Sequence, residues 1–191
     1  MTARAPLFCL VLLAACATEK SARQPPNDPA VPLPVPNEAP RPSVDGRPQV
    51  VIHASPIGSG WIGMGEPVPA GSPRLASDLW RQTEIGAEIT IAVYKKPVDE
   101  VEASARKVRR GFYEGGAAVS EIVVEDGAKR AWFRLEAEPG GRRTSGKVVV
   151  VHVHDDPSMI AIMIGLWPPE HDARLAEEID LMADNLTVTV Y

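Results

Sequence analysis

The chain has 191 residues, 45% hydrophobic and 24% charged, with a formal net charge of -5 at pH 7 and 2 cysteines. The mild acidity and the lack of a broad basic surface argue against nucleic acid as a partner. Both cysteines, Cys9 and Cys16, fall in the first sixteen residues, so the rest of the chain has no disulfide and relies on a packed core. About 140 residues suffice for one.

The first element in chain order is not part of the fold. Arg4 precedes an apolar run, Leu7 to Ala15, about half of the ~20 residues that a membrane-spanning helix needs. It reads as a signal peptide. Leu13-Ala14-Ala15-Cys16 closes it and resembles the lipobox of bacterial lipoproteins, in which the cysteine thiol receives a diacylglycerol before cleavage. That resemblance implies residues 1–15 as the signal peptide, lipid on Cys16, and attachment facing outside the cytoplasm. Two or more acyl chains hold stably where one binds marginally. Ala17 stands where an aspartate would retain a lipoprotein in the inner membrane, which favours the outer membrane, periplasmic side. A Pro-rich stretch follows to Pro48. Proline fixes φ and removes a donor, so 16–48 reads as the lipidated cysteine and an extended tether, reaching up to roughly 100 Å at ~3.1 Å per residue.

The globular region is expected over 49–191. Gln49–Ser55 is a strand candidate, and Gly58–Pro73, broken by Gly and Pro, is mainly loop with Trp61 and Met64 as candidate core anchors. Glu88–Lys96 alternates as a strand. After Pro97 an apolar stripe at Val98, Val101, Ala105, Val108 and Phe112 predicts a helix that Gly115 and Gly116 end. Val119–Glu125, an Asp126-Gly127 turn and the alternating 128–138 segment predict a hairpin, with Arg130, Trp132, Arg134 and Glu136 outward. A polar loop, Pro139–Gly146, leads to a strand at Val148–His154. Beyond the Asp155–Pro157 turn, Met159–Trp167 is apolar at both parities and predicts a central strand. Pro168 and Pro169 open a helix with His171, Leu175, Ile179, Met182 and Leu186 on its buried stripe. Leu186–Tyr191 is the last strand.

This order predicts an α+β domain, a mostly antiparallel sheet of about six strands with two amphipathic helices. The layout resembles the PsbP-like αβα sandwich, found in a photosystem II extrinsic subunit and in small bacterial lipoproteins. The resemblance rests on element order and size and implies a fold whose members mostly bind or support larger assemblies. No family functional motif maps residue by residue onto this chain.

Three motifs bear on chemistry. Gly58 to Gly63, GSGWIG, matches a dinucleotide fingerprint, yet the Gly and Pro residues that follow preclude the helix such a site needs. His152, His154 and Asp156 share strand parity and would bind zinc weakly, or form an ordinary exposed strand end. Arg130, Trp132 and Arg134 form either a binding face, of the composition that interface hot spots favour, or a stripe covered by a helix or long loop, with the arginines paired to Glu136 or Glu121. Arg142, Arg143 and Lys147 read as a solvated hairpin tip. No Gly-x-Ser-x-Gly element occurs, so no catalytic residue is assigned and no cofactor beyond the Cys16 lipid. The expected function is a membrane-anchored domain that binds or supports an envelope protein or ligand without catalysis. The alternative is a metal-binding or metal-dependent protein using the His152/His154 strand end.

Overall fold

The computed structural model describes residues 49–69, 71–154, 156 and 158–191; the expected signal peptide, Cys16 and the expected tether to Pro48 lie outside the described residues. The strands are β1 (Val50–His53), β2 (Ile62–Gly63), β3 (Arg74–Gln82), β4 (Ala87–Lys95), β5 (Ala118–Val119), β6 (Val123–Glu125), β7 (Arg130–Ala137), β8 (Thr144–His152), β9 (Met159–Trp167) and β10 (Thr187–Val190), with helices α1 (Val101–Glu114) and α2 (Asp172–Asp184).

One sheet runs β2-β3-β4-β9-β8-β7-β5, with β6 also on the outer side of β7; β1 and β10 form a separate pair. Every pairing is antiparallel. Strand β9 lies between β4 and β8 and is apolar at both parities because both its faces are covered. Met159, Ala161, Met163 and Trp167 join Ile89, Ile91 and Val93 of β4 and Leu175, Ile179 and Met182 of α2 in one core. Ile160 faces the other way, into a second core with Val148, Val150, Phe133, Val101 and Ala105. Helix α2 and the β1–β10 pair thus cover one face, and α1 covers part of the other, giving layers of helix, sheet and helix. Each large side chain buried in these cores contributes about 1.5–3 kcal/mol.

Local chemistry sets the helix limits. Pro97 precedes a single 3-10 turn, Val98–Glu100, that leads into α1. Gly115 caps α1, and Gly116 leaves it at φ 93°, left-handed backbone that favours glycine. Phe112, on the last buried turn, meets Phe133 of β7 edge to face with centroids 6.3 Å apart. Gly165 of β9 has a different cause: a Cβ there would collide with the Trp167 ring and stand 3.1 Å from Ile179.

The sheet departs from expectation in strand number. Ten strands are formed among the described residues rather than about six. Strands β2 and β5 have two residues each and β6 three, too short for a periodicity to register. The expected Val119–Glu125 strand is divided between β5 and β6, both pairing β7. Strand β3 was not expected because its core-facing positions mix Ala76 with Asp78, Trp80 and Gln82. Met64 is 51% exposed and anchors no core, whereas Trp61 packs against one.

Candidate functional site

Strand parity decides where the arginine stripe goes. Ala131, Phe133 and Leu135 of β7 enter the α1 core, so Arg130, Trp132 and Arg134 face the opposite layer. That layer is not open: the acidic flank of α2 meets them. Arg134 pairs with Asp172 at 3.0 Å, and Arg130 with both Asp180 and Asp184 at 2.5 Å. Glu125 of β6 adds an ion pair to Arg130 at 3.6 Å and accepts the Trp132 indole N–H at 2.9 Å. The arginines' acids are therefore those of the last helix and β6. Glu121 pairs with Arg109 and Glu136 with Arg143.

Lys147 belongs to this cluster and not to a hairpin tip. It is 4% exposed, bonds both carboxylate oxygens of Asp180 at 2.5 Å, and lies 4.4 Å above the Trp132 ring. Burial pulls its ammonium below the usual lysine range, against the opposing pull of Asp180. Arg130, Arg134 and Lys147 thus fasten α2 to β7 and β8. Through Arg130 and Trp132 the stripe borders β6 along its outer margin.

That margin is the sheet's outer edge. Val123 and Val124 are 38% and 40% exposed, and β6 pairs with β7 alone. Val123 lies opposite Trp132, and Glu125 opposite Arg130. Residue by residue, the predicted face gives a buried Arg130, a half-buried Trp132 and a half-buried Arg134, with exposed Val123 beside Trp132 and exposed Val124 on the opposite face, across from Ala131.

The histidines are arranged differently. Strand β8 ends at His152; Val153 still follows Val149 and Val151 into the α2-side core, and the Asp156 N–H then bonds back to the Val153 carbonyl in a turn, so His154 and Asp156 lie beyond the strand. His152 is half-buried, with no hydrogen-bond partner for Nε2 among the described residues. Burial lowers its pKa below the usual range, and Lys129 and His154 add to that. The Asp156 carboxylate accepts the Ser158 N–H at 2.8 Å and its hydroxyl at 2.7 Å, bonds that hold its pKa down. Among the described residues no group of three or more His, Cys, Asp or Glu side chains could hold a metal.

An open groove of about 590 Å³ lies between the end of β1, the following loop, Trp80 and the C-terminal turn of α2; Ile52, Ile57, Leu181, Met182 and Asn185 line it. The loop beyond Ile57 is strapped to α2 by Glu178, whose Oε1 accepts both the Gly58 N–H and the Trp61 indole N–H at 2.9 Å. Sequence reading missed Asp78, Trp80 and Gln82, which share one face of β3. Burial raises the Asp78 pKa above the usual range, with a Leu79 backbone bond opposing. Trp80 Nε1 and Gln82 Oε1 have no partner among the described residues. The polar residues of β3, Arg74, Ser77, Asp78, Arg81 and Gln82, follow no period of two, so no alternation marked this face in the sequence.

No helix among the described residues is long and apolar enough to cross a membrane. No protein-family model matches the chain, and no curated protein matches it. Solved structures similar to it include the cyanobacterial PsbP protein CyanoP of Synechocystis, at 13% identity and TM-score 0.44, covering 78% of this chain and 96% of that one. LpqN of Mycobacterium tuberculosis, described as involved in cell envelope biogenesis, is 13% identical with TM-score 0.43 over 74% of this chain and 85% of its own. The Ran-binding protein Mog1p of Saccharomyces cerevisiae is 8% identical with TM-score 0.44 over 69% of this chain and 82% of its own.

Proposed function

We propose that the chain is a lipoprotein held at Cys16 on a bacterial membrane, facing outside the cytoplasm, whose folded region binds or supports an envelope protein without chemistry of its own. Leu13-Ala14-Ala15-Cys16 and the Pro-rich stretch behind it support the anchor and the tether, and Ala17 favours the outer membrane. The observation that carries the binding reading is the exposed apolar margin of the sheet, with Val123 beside Trp132 on one face and Val124 opposite Ala131 on the other. Arg130, Trp132 and Arg134 then act through their rim. Held by α2, they present a rigid surface that need not order on binding.

Cross-linking in intact cells, followed by affinity recovery of the wild-type protein and of a Cys16→Ala control, tests this reading. One dominant envelope protein, recovered with the wild type and lost with the control, is the expected result. Recovery of no specific partner across several cross-linker chemistries overturns it. A second reading, an apolar small ligand in the groove at Ile57, Trp80 and Leu181, is favoured by the apolar side chains of Ile52, Ile57, Leu181 and Met182 in its lining.

A further inference from the structure

We propose that β6 is a docking strand, and that its occupant is an extended protein segment carrying apolar residues between basic ones, which adds to the sheet edge by backbone pairing. This inference rests on the binding reading above and names the partner's chemistry.

The phase of the hydrogen bonds makes the edge available. Arg130 lies opposite Val151, and the His152 N–H donates to the Lys129 carbonyl at 2.8 Å. In an antiparallel ladder, Lys129, Ala131 and Phe133 therefore direct their backbone groups toward β8. Arg130, Trp132 and Arg134 direct theirs the other way, as the 2.9 Å bond from the Ser120 N–H to the Arg134 carbonyl shows. Val123 and Glu125, opposite Trp132 and Arg130, thus bond to β7. Val124 between them points its N–H and C=O outward, and no strand among the described residues lies beyond it. An unpaired edge with exposed apolar side chains is a template for another strand.

Charge selects the occupant. The Glu121 side chain is 99% exposed and that of Glu125 44%, and exposed Asp126 follows. Arg109 stands 3.9 Å from Glu121, Arg130 and Trp132 hold Glu125 from the sheet side, and exposed Lys129 lies three residues past Asp126. Of the exposed charges at this margin, three are acidic, Glu121, Glu125 and Asp126, and one basic, Lys129, while Arg109 is half-buried and Arg130 buried. A second copy pairing edge to edge would bring these carboxylates against their own kind. A segment with Lys or Arg on either side of its apolar residues meets them with opposite charge.

The test uses the full chain carrying Cys16→Ser and two capped probe peptides, Arg-Thr-Val-Thr-Val-Lys and Glu-Thr-Val-Thr-Val-Glu. The expected result is that the basic-flanked peptide shifts the backbone amide resonances of Ile122 to Glu125, binds at least about tenfold tighter than its acidic counterpart, and weakens as salt rises. Val124→Pro removes the outward donor while leaving the β7 ladder intact, a substitution that edge strands accept, and abolishes the shifts. Val124→Lys, which keeps the backbone and repels the basic probe, is the second variant should Val124→Pro fail to fold. Equal binding of both peptides, shifts confined to other residues, or undiminished binding by both variants overturns the inference. Self-association of the wild-type chain that Val124→Pro removes overturns it in favour of a second copy. In cells, a cross-linked partner retained by Val124→Pro overturns the docking strand and leaves the binding reading standing; the absence of any partner for the wild type overturns that reading.

Discussion

Arg130 of β7 and Asp180 of α2 are paired at 2.5 Å, and Asp180 in turn holds Lys147 of β8. One carboxylate therefore ties two adjacent strands to the helix above them. Removing Arg130 strands its acids beside a buried surface. Breaking such a pair from one side costs 3–5 kcal/mol when both partners are buried. Asp180 and Asp184 retain 33% and 58% side-chain exposure, which lowers the expected cost of Arg130→Ala to about 2–3 kcal/mol. Urea unfolding checks it, and Arg130→Met, which keeps the buried stem, should cost less.

Glu178→Ala should loosen the loop from Gly58 to Trp61, since one buried carboxylate receives both of its hydrogen bonds to α2. Two lost bonds to a charged acceptor amount to roughly 3–6 kcal/mol. The sharper readout is local: faster proteolysis and amide exchange between Gly58 and Met64, with β9 still protected. Glu178→Gln keeps an acceptor oxygen and should lie between the two.

Asp78 gives a pH signature. Burial raises its folded pKa above the model-compound value of 3.8, so the folded state holds its proton more tightly than the unfolded chain. Its stabilising effect is complete below 3.8 and is lost as pH rises through the folded value. Asp78→Asn should therefore raise the melting temperature at pH 7 relative to wild type, with the advantage vanishing at low pH. No advantage at pH 7 would show that the carboxylate is solvated.

His152 runs in the opposite sense. Its folded pKa is depressed from 6.5, so its contribution is present above 6.5 and is lost as pH falls below it toward the folded value. His152→Phe should flatten that part of the acid limb. The same variant bears on the metal alternative. With His152 turned toward the protein and Asp156 engaged by Ser158, excess zinc should leave the wild-type melting temperature unchanged. A zinc-dependent rise that His152→Ala abolishes would install the metal reading.

Gly165→Ala should destabilise by about 2–3 kcal/mol, because Trp167 and Ile179 occupy the space a Cβ needs. Calorimetry measures it. A Trp167→Leu background should relieve most of the penalty, since the collision is chiefly with that ring.

What could be read from residue order follows from range. The apolar run MIAIMIGLW places β9 at the centre of the sheet, and the Val101, Ala105, Val108, Phe112 stripe marks α1, because each depends on neighbours within a few turns. The parity of Arg130, Trp132 and Arg134 was equally legible. Their cover was not, since Asp172, Asp180 and Asp184 arrive 38 to 54 residues later and meet β7 only once the sheet order is set. Lys147 was placed at a hairpin tip because β8 was expected to begin at Val148. It begins at Thr144, which brings the lysine onto the covered sheet and under α2. The edge formed by Val123 and Val124 depends on β6 having a partner on one side alone, which no local pattern encodes.

The pairing of β1 with β10 also has a mechanical meaning. Gln49 and Tyr191 exchange two backbone bonds, N–H to carbonyl at 3.2 and 2.9 Å, and the ladder continues from Val50–Val190 to His53–Thr187. Tension delivered to Gln49 and resisted by the main sheet loads this ladder from its open end, so its bonds part in succession and not together. Under such a load the β1–β10 pair would be the first part of the domain to open, and Val50, Ile52 and Val188 would leave the α2-side core with it.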